Sequence, residues 1–287
     1  MVKLTKVLVQ RHAGRPSAFG AALLDIAQDH LLSLIAGAGF FATGDLVFKG
    51  GTSLRKCRLG PAGRFSTDLD FVAPKEDVVL DVCEVINGSS IGGFHFNLET
   101  DRGDGRHWRL LVVHEELGSP DLDAAVEFAR RPLLREPEQL GFLRSPVHKA
   151  YEISLPVMPI IAEAEACAEK LARYRRIALA RDLYDLAQFA QRQIDEPLVR
   201  RLWVLKVWGD VVDDKRGHKP LDPNDVLQRR SDTDFKPESI GALTRPIDIP
   251  GWEHTVRTRF AFLADLDPHE RQWARCDPRD RRAIEDL

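Results

Sequence analysis

From Phe19 to Ile35 the apolar residues Phe19, Leu23, Leu24, Ile26, Ala27, Leu31, Leu34 and Ile35 recur at three- and four-residue intervals, the period of one helix face. The spacing predicts a helix over 17–36, with Pro16 in its first turn and Gly37 and Gly39 as its stop. The pattern then shortens. Residues 45–48 (DLVF) read as a buried strand running into Gly50 and Gly51, residues 52–58 as one or two helical turns, and LGPAG (59–63) as a loop. Residues 65–72 alternate: Phe65, Leu69 and Phe71 take the core side of a strand, and Asp68 and Asp70 the other. A helix over 76–87 and strands over 93–99, 107–114 and 122–128 follow.

Prolines at 132, 137, 146, 156 and 159 rule out long regular elements between 130 and 160, leaving room for one short strand near 151–155. Helical period returns over 160–212. Residues 213–250, rich in Asp, Pro and Lys, read as loops, and 251–287 as helix with Trp252, Phe260, Phe262, Leu263 and Trp273 as candidate core. The expected organisation is an α/β (α+β) domain over 1–135, a connection over 136–159 and a mainly helical domain over 160–287.

At 44% hydrophobic and 30% charged, the composition is that of a soluble globular protein. Apolar runs such as 31–36 are too short to span a bilayer, and the N-terminus lacks a signal peptide's apolar region, so a cytoplasmic protein with no membrane partner is expected. The four cysteines form no CxxC pair, which argues against a zinc site. The net charge of −3 does not advertise general nucleic-acid binding, although 30 of the 41 basic residues are arginine, the side chain suited to bidentate phosphate contacts.

The stretch FKGGTSLRKCRLGPAGRFSTDLDF (48–71) carries the candidate chemistry. Asp68 and Asp70 project from one strand face, where paired carboxylates repel unless a cation or water intervenes. Such hard oxygen ligands suit Mg²⁺. A bare DxD is most often a solvated strand end; the glycine pair before it raises the odds of a site. A glycine turn opening a helix lets backbone approach phosphate, and Ser53 adds a hydroxyl. There is no GxxxxGK[ST] loop and no GxSxG elbow, so neither a P-loop NTPase nor a serine hydrolase fits. Arg64 and Ser66 precede the aspartates, within reach of phosphate or a metal shell, although a plain strand-surface serine is the first reading of Ser66. Asp123 and Glu127 share one face of strand 122–128. Lys170, with Arg173, Arg175 and Arg176, is either a triphosphate clamp or a charged helix face paired with Glu163, Glu165 and Glu169. Asp182 and Asp185 fit an N-cap and its capping-box partner.

KGGTSLR followed by RFSTDLDF resembles the nucleotidyltransferase motif of the DNA polymerase β superfamily, and most closely its AbiEii/MenT-type branch, the nucleotidyltransferase toxins of bacterial toxin–antitoxin pairs. EKLARYRR, with Lys170, and ARDLYDL, with Asp182 and Asp185, resemble that branch's later lysine and aspartate motifs. The resemblance spans roughly residues 45–190, with its blocks in the family's order; the gap from the glycines to Asp68 is slightly longer than in the compact superfamily pattern. It implies a polymerase β-like core with a mixed sheet, closed by the helical domain over a nucleotide. It implies Mg²⁺ or Mn²⁺ on Asp68 and Asp70, with Glu127 preferred to Asp123 as a third carboxylate. Catalytic roles fall to Asp68, Asp70, Lys170 and Asp182, and nucleotide contacts to Gly50, Gly51, Ser53, Arg64, Ser66, Arg173 and Asp185. The implied reaction is transfer of NMP from an NTP to the 3′ end of tRNA by a monomeric toxin with a cognate antitoxin, which in this family silences its toxin by phosphorylating a serine near the DxD; Ser66 is the candidate. Arginines 173–181 and 200–201 are the expected basic face for tRNA. A transferase acting on a small molecule, such as an antibiotic, and a non-catalytic nucleotide-binding module remain the alternatives.

Overall fold

A short helix, α1 (Lys6–Ala13), precedes the one that the apolar period predicts, α2 (Phe19–Gly37). The computed structural model describes residues 4–117, 122–151, 153–217, 219–231, 234–235, 240–243 and 246–285. The chain forms two units, Met1–Ile161 with Gly241–Pro246, and Ala162–Ile240 with Ile247–Leu287.

The first unit is built on a mixed eight-stranded sheet in the order β3-β4-β5-β6-β2-β1-β8-β7. Its strands are β1 (Val47–Lys49), β2 (Leu69–Val72), β3 (Ser89–Ile91), β4 (Phe94–Thr100), β5 (His107–His114), β6 (Leu122–Ala129), β7 (Glu138–Gly141) and β8 (Val157–Ile160). Between β1 and β2 the chain makes α3 (Gly50–Ser53), continued as a π-helical segment over Leu54–Leu59. The helix α4 (Glu76–Ile86) follows β2. β2 runs antiparallel to β1 and parallel to β6. One face of these central strands is apolar: the Phe71 ring lies 5.3 Å from Phe48 and 5.6 Å from Phe128.

Residues 136–159 therefore depart from the expected connection, because β7 and β8 extend the sheet beyond β1. Pro159, inside β8, is tolerated near the sheet edge, where fewer backbone N–H groups must be paired. The strand expected near 151–155 does not form among the described residues there. β2 is shorter than expected at its start, because the Phe65 N–H donates to Ala242 O (2.9 Å) rather than to a strand neighbour.

α2 is apolar and long enough by composition to cross a bilayer, but 72% of that window is buried inside the protein, as in a core helix. It also carries charge. Asp25 lies against Arg55 Nε (2.9 Å) and His12 Nε2 (2.7 Å), and Asp29 against Lys56 Nζ (2.5 Å) and the Tyr151 hydroxyl (2.6 Å). Burial pushes the Asp25 carboxyl up, but Lys56, Arg55 and His12 outweigh it and hold it well below the usual carboxylate range. This buried network ties α2 to the segment that follows the glycine turn.

The second unit contains α5 (Glu163–Arg176), α6 (Ala180–Ala190), α7 (Glu196–Val212), α8 (Asn224–Leu227), α9 (Ile249–Arg259) and α10 (Pro268–Trp273). Leu171, Tyr174, Trp203, Phe260 and Leu263 fill its core. Lys206 of α7 reaches Glu165 (2.5 Å) and Glu169 (2.9 Å) of α5. Trp252, expected in the core, is half-buried and meets Tyr184 edge-on at 4.9 Å.

Candidate functional site

β1 ends in Lys49, and the chain turns at Gly50 with φ +79°, a left-handed conformation that L side chains rarely adopt. There is also no room for one. A Cβ on Gly50 would stand 1.9 Å from Asp70 Oδ2, and a Cβ on Gly51 2.5 Å from Arg64 Nη2 and 2.9 Å from Ser66 Oγ. The missing side chains therefore admit Asp70, Arg64 and Ser66 over the start of the helical stretch. That convergence joins five sequence-predicted residues.

Sheet register adds a row of polar positions. Asp70 pairs with Lys49 on one side and Glu127 on the other, and Glu127 pairs with His107. Partners in register share a sheet face, so these four residues lie on the face opposite Phe48, Phe71 and Phe128. Asp123 lies four residues from Glu127, about 13 Å along the strand, and its carboxylate binds Arg109 Nε at 2.8 Å. Among the described residues, no three His, Cys, Asp or Glu side chains are grouped to hold one ion. Glu127 thus stands beside the aspartates without completing a three-carboxylate cluster.

Asp68 comes just before the first paired residue of β2, and its Oδ1 accepts from the Thr67 hydroxyl at 2.8 Å. Its carbonyl accepts from the fully buried Thr52 hydroxyl at 2.5 Å, and Gln28 of α2 donates to Ser66 O (3.1 Å) and Thr67 O (2.8 Å). Thr52 and Gln28 thus fix the aspartate segment against the glycine turn and against α2. Sequence reading passed over both. The available signals were a threonine between glycine and serine in GGTS, and a glutamine within an apolar helix face.

Ser53 departs from its expected phosphate contact. It is fully buried, and its hydroxyl donates to Gly50 O (2.9 Å). A helical serine readily satisfies itself on the preceding turn, so this hydroxyl shapes the turn from inside.

In the second unit Lys170 Nζ lies 3.1 Å from Asp182 Oδ1 and 2.7 Å from Asp185 Oδ2, and Arg173 Nε lies 3.2 Å from Asp182 Oδ2. Lys170, Asp182 and Asp185 are buried, while the Arg173 side chain is 40% exposed and so the part of the cluster open to a ligand. The capping-box expectation is corrected. Leu179 is the N-cap of α6, and no side-chain cap bond forms there. A buried ammonium requires counterions, and Asp182 and Asp185 provide them.

Four arginines of the expected basic face also have carboxylate partners within the unit, while the Arg173 and Arg201 side chains remain 40% and 53% exposed. Arg175 pairs with Asp225 (3.1 Å), Arg176 with Asp210 (3.1 Å), Arg200 with Glu270 (2.7 Å) and Arg201 with Asp267 (3.6 Å). Each of these cations already has an internal carboxylate.

Comparison with known proteins gives this arrangement a context. The family described as nucleotidyl transferase AbiEii toxin, type IV TA system, matches residues 38–276. Among solved structures, the chain is 64% identical to MenT4, a nucleotidyltransferase toxin from Mycobacterium tuberculosis H37Rv, over 99% of this chain and 97% of that one, with a TM-score of 0.96. It is 17% identical to JHP933 from Helicobacter pylori over 94% of this chain and 98% of that one, at a TM-score of 0.45, too low to carry an argument. No curated protein matches.

Proposed function

The chain belongs to the AbiEii family of nucleotidyltransferase toxins of type IV toxin–antitoxin systems, and from that premise we propose that it transfers NMP from an NTP to the 3′ end of tRNA in a Mg²⁺-dependent reaction, blocking aminoacylation. The observation that carries the reading is the convergence of Asp70, Arg64 and Ser66 on the Gly50–Gly51 turn.

The side chains present fit a divalent ion. Asp68 and Asp70 offer hard carboxylate oxygens, and the absent Gly50 Cβ leaves the Asp70 carboxylate room over the turn. Asp68 and Asp70 would hold Mg²⁺; Mn²⁺ suits the same donors. When bound, such an ion activates an acceptor hydroxyl and stabilises charge on the triphosphate. Around it, the protein's task is positioning. Arg64 neutralises phosphate oxygens with a planar fork of donors. The glycine backbone approaches phosphate without a side chain in the way. Lys170 and Arg173 are assigned to the triphosphate charge, with Asp182 and Asp185 holding Lys170 in place. Asp182 acts through Lys170 in this reading, a narrower role than the catalytic one its motif implies.

Family membership implies a cognate antitoxin. Ser66 is the residue we assign to phosphorylation by it. The residue is 7% exposed and its hydroxyl stands over Gly51. The reading also places the protein in the cytoplasm, where tRNA and NTPs are found, as a monomer.

Incubation with total tRNA, Mg²⁺ and each labelled NTP in turn tests the proposal. Label on tRNA from one or two NTPs is the expected result. No label from any NTP overturns the tRNA assignment and favours a small-molecule acceptor or a binding role.

A further inference from the structure

The second unit holds a depression of about 870 Å³ whose lining includes Arg229, Arg230 and Arg257, with Glu253 and His254. Two of these guanidinium groups are held in direction by backbone carbonyls. Arg230 Nη2 donates to the backbone carbonyl of Asp225 (2.8 Å), and its guanidinium lies 5.2 Å from the centre of the Tyr174 ring. Arg257 Nε donates to the carbonyl of Leu227 (3.0 Å). Arg229 is exposed and has neither an ion pair nor a hydrogen bond among the described residues.

A carbonyl fixes a guanidinium in direction but does not cancel its charge; a carboxylate does both. Elsewhere in the unit arginines pair one to one with carboxylates, as Arg175 does with Asp225 and Arg200 with Glu270. In the depression the one acidic side chain is Glu253. Its Oε1 accepts from the Arg230 backbone N–H (3.2 Å) and lies 3.5 Å from Arg257 Nε. Three arginines against one glutamate leave a formal charge of +2, before any contribution from His254. Arg230 Nε is buried with no hydrogen-bond partner. Pre-oriented guanidinium groups with surplus charge, gathered in one concave site, are the chemistry that recognises phosphate.

We propose that this depression binds phosphodiester groups of the RNA acceptor, and so supplies a basic footprint for it. The inference rests on the transferase reading and locates where its acceptor is held. The site binds backbone phosphate, so it contributes affinity and salt dependence without reading sequence.

The test measures binding of fluorescein-labelled total tRNA by anisotropy across a salt series, beside label transfer at varied tRNA and varied NTP. It compares wild type, Arg229→Gln, Arg229→Gln/Arg257→Gln, and the control Arg279→Gln, an exposed arginine bound to its neighbour Asp277. The double variant is expected to bind tRNA about tenfold more weakly, with the salt slope reduced by about 1.4–1.8, or 0.7–0.9 for each lost contact. Its KM for tRNA should rise with kcat and the KM for NTP nearly unchanged. Arg229→Gln should give about half the slope effect, and Arg279→Gln none. Since Arg257 also anchors the backbone at Leu227, the single Arg229→Gln variant decides the matter if the double variant unfolds early. Unchanged tRNA affinity and slope in folded Arg229→Gln overturn the inference, and leave the transferase reading standing if wild type still labels tRNA. A raised KM for NTP instead assigns the depression to the nucleotide and overturns it too. Binding lost in the variants, from a wild type that labels nothing, upholds the site and removes the transferase reading.

Discussion

At Gly51 the space for one methyl group is already taken by Arg64 and Ser66. Gly51→Ala should therefore displace these side chains and slow transfer on the order of 10²-fold, the scale of a misplacement of about 1 Å. The melting temperature, measured beside the rate, should fall by only a few degrees; an unchanged rate would remove the crowding argument. Lys170 poses a different problem, because its ammonium lies between two buried carboxylates. Lys170→Ala should cost about 3–5 kcal/mol by leaving buried charge unpaired, read as a shift in the urea midpoint. The sequence singled out the aspartates, the glycines and the lysine through the resemblance of their motifs to the family's, since a bare DxD or a lysine on a charged helix face has a structural use as ready as a chemical one. It did not disclose that Ser53 turns inward or that Asp182 and Asp185 pair with Lys170 rather than cap a helix. Those outcomes depend on burial, and DLYD presents the same letters either way.

The π-helical segment after Gly50–Ser53 and the strand that carries Asp70 are held by buried polar bonds more than by propensity. The fully buried Thr52 hydroxyl on Asp68 O is one such bond. Thr52→Val should cost about 1 kcal/mol in chemical denaturation, the scale of a buried hydrogen bond lost with near-equal volume. Asp25 of α2 gives a pH prediction. With its folded-state pKa depressed, the stability it contributes is complete above the unfolded value of about 3.9 and is lost as pH falls through the folded value. Melting temperature should hold steady from about pH 7 to pH 5 and drop below about pH 4. Asp25→Asn should lower it throughout and flatten the acid limb. Helix α2, the central strands and the meander were legible because their periods are long or clean. β7, β8 and α1 were not: the two strands are four residues each in a proline-rich stretch, and α1 buries only Val9 and Ala13. Asp25 and Asp29, four apart on an apolar helix, and the consecutive Arg55 and Lys56 were readable signs of the buried network, visible once the partners are known.

Over the whole molecule, a net charge of −3 conceals an uneven use of arginine. Many arginines in the second unit pair one to one with carboxylates of their own unit, whereas those at 229, 230 and 257 share the single carboxylate of Glu253 in their depression. For the proposed RNA contact the relevant quantity is this local surplus rather than the net charge. The sheet register, which pairs Asp70 with Lys49, explains why Asp70 rather than any other carboxylate meets the turn. Chelation of divalent ions with EDTA should abolish transfer and leave the melting temperature almost unchanged, because the fold's own charges are internally paired; a large fall would assign the metal a structural role. The central claim is that Asp70, seated over the Gly50–Gly51 turn, is part of a nucleotidyl-transfer site. Its most direct test is the single-turnover rate of label transfer from NTP to tRNA by wild type and by Asp70→Asn, a change that keeps shape and removes charge. A loss on the order of 10³-fold or more with the fold intact is the predicted result, and a rate within a few-fold of wild type would contradict the account.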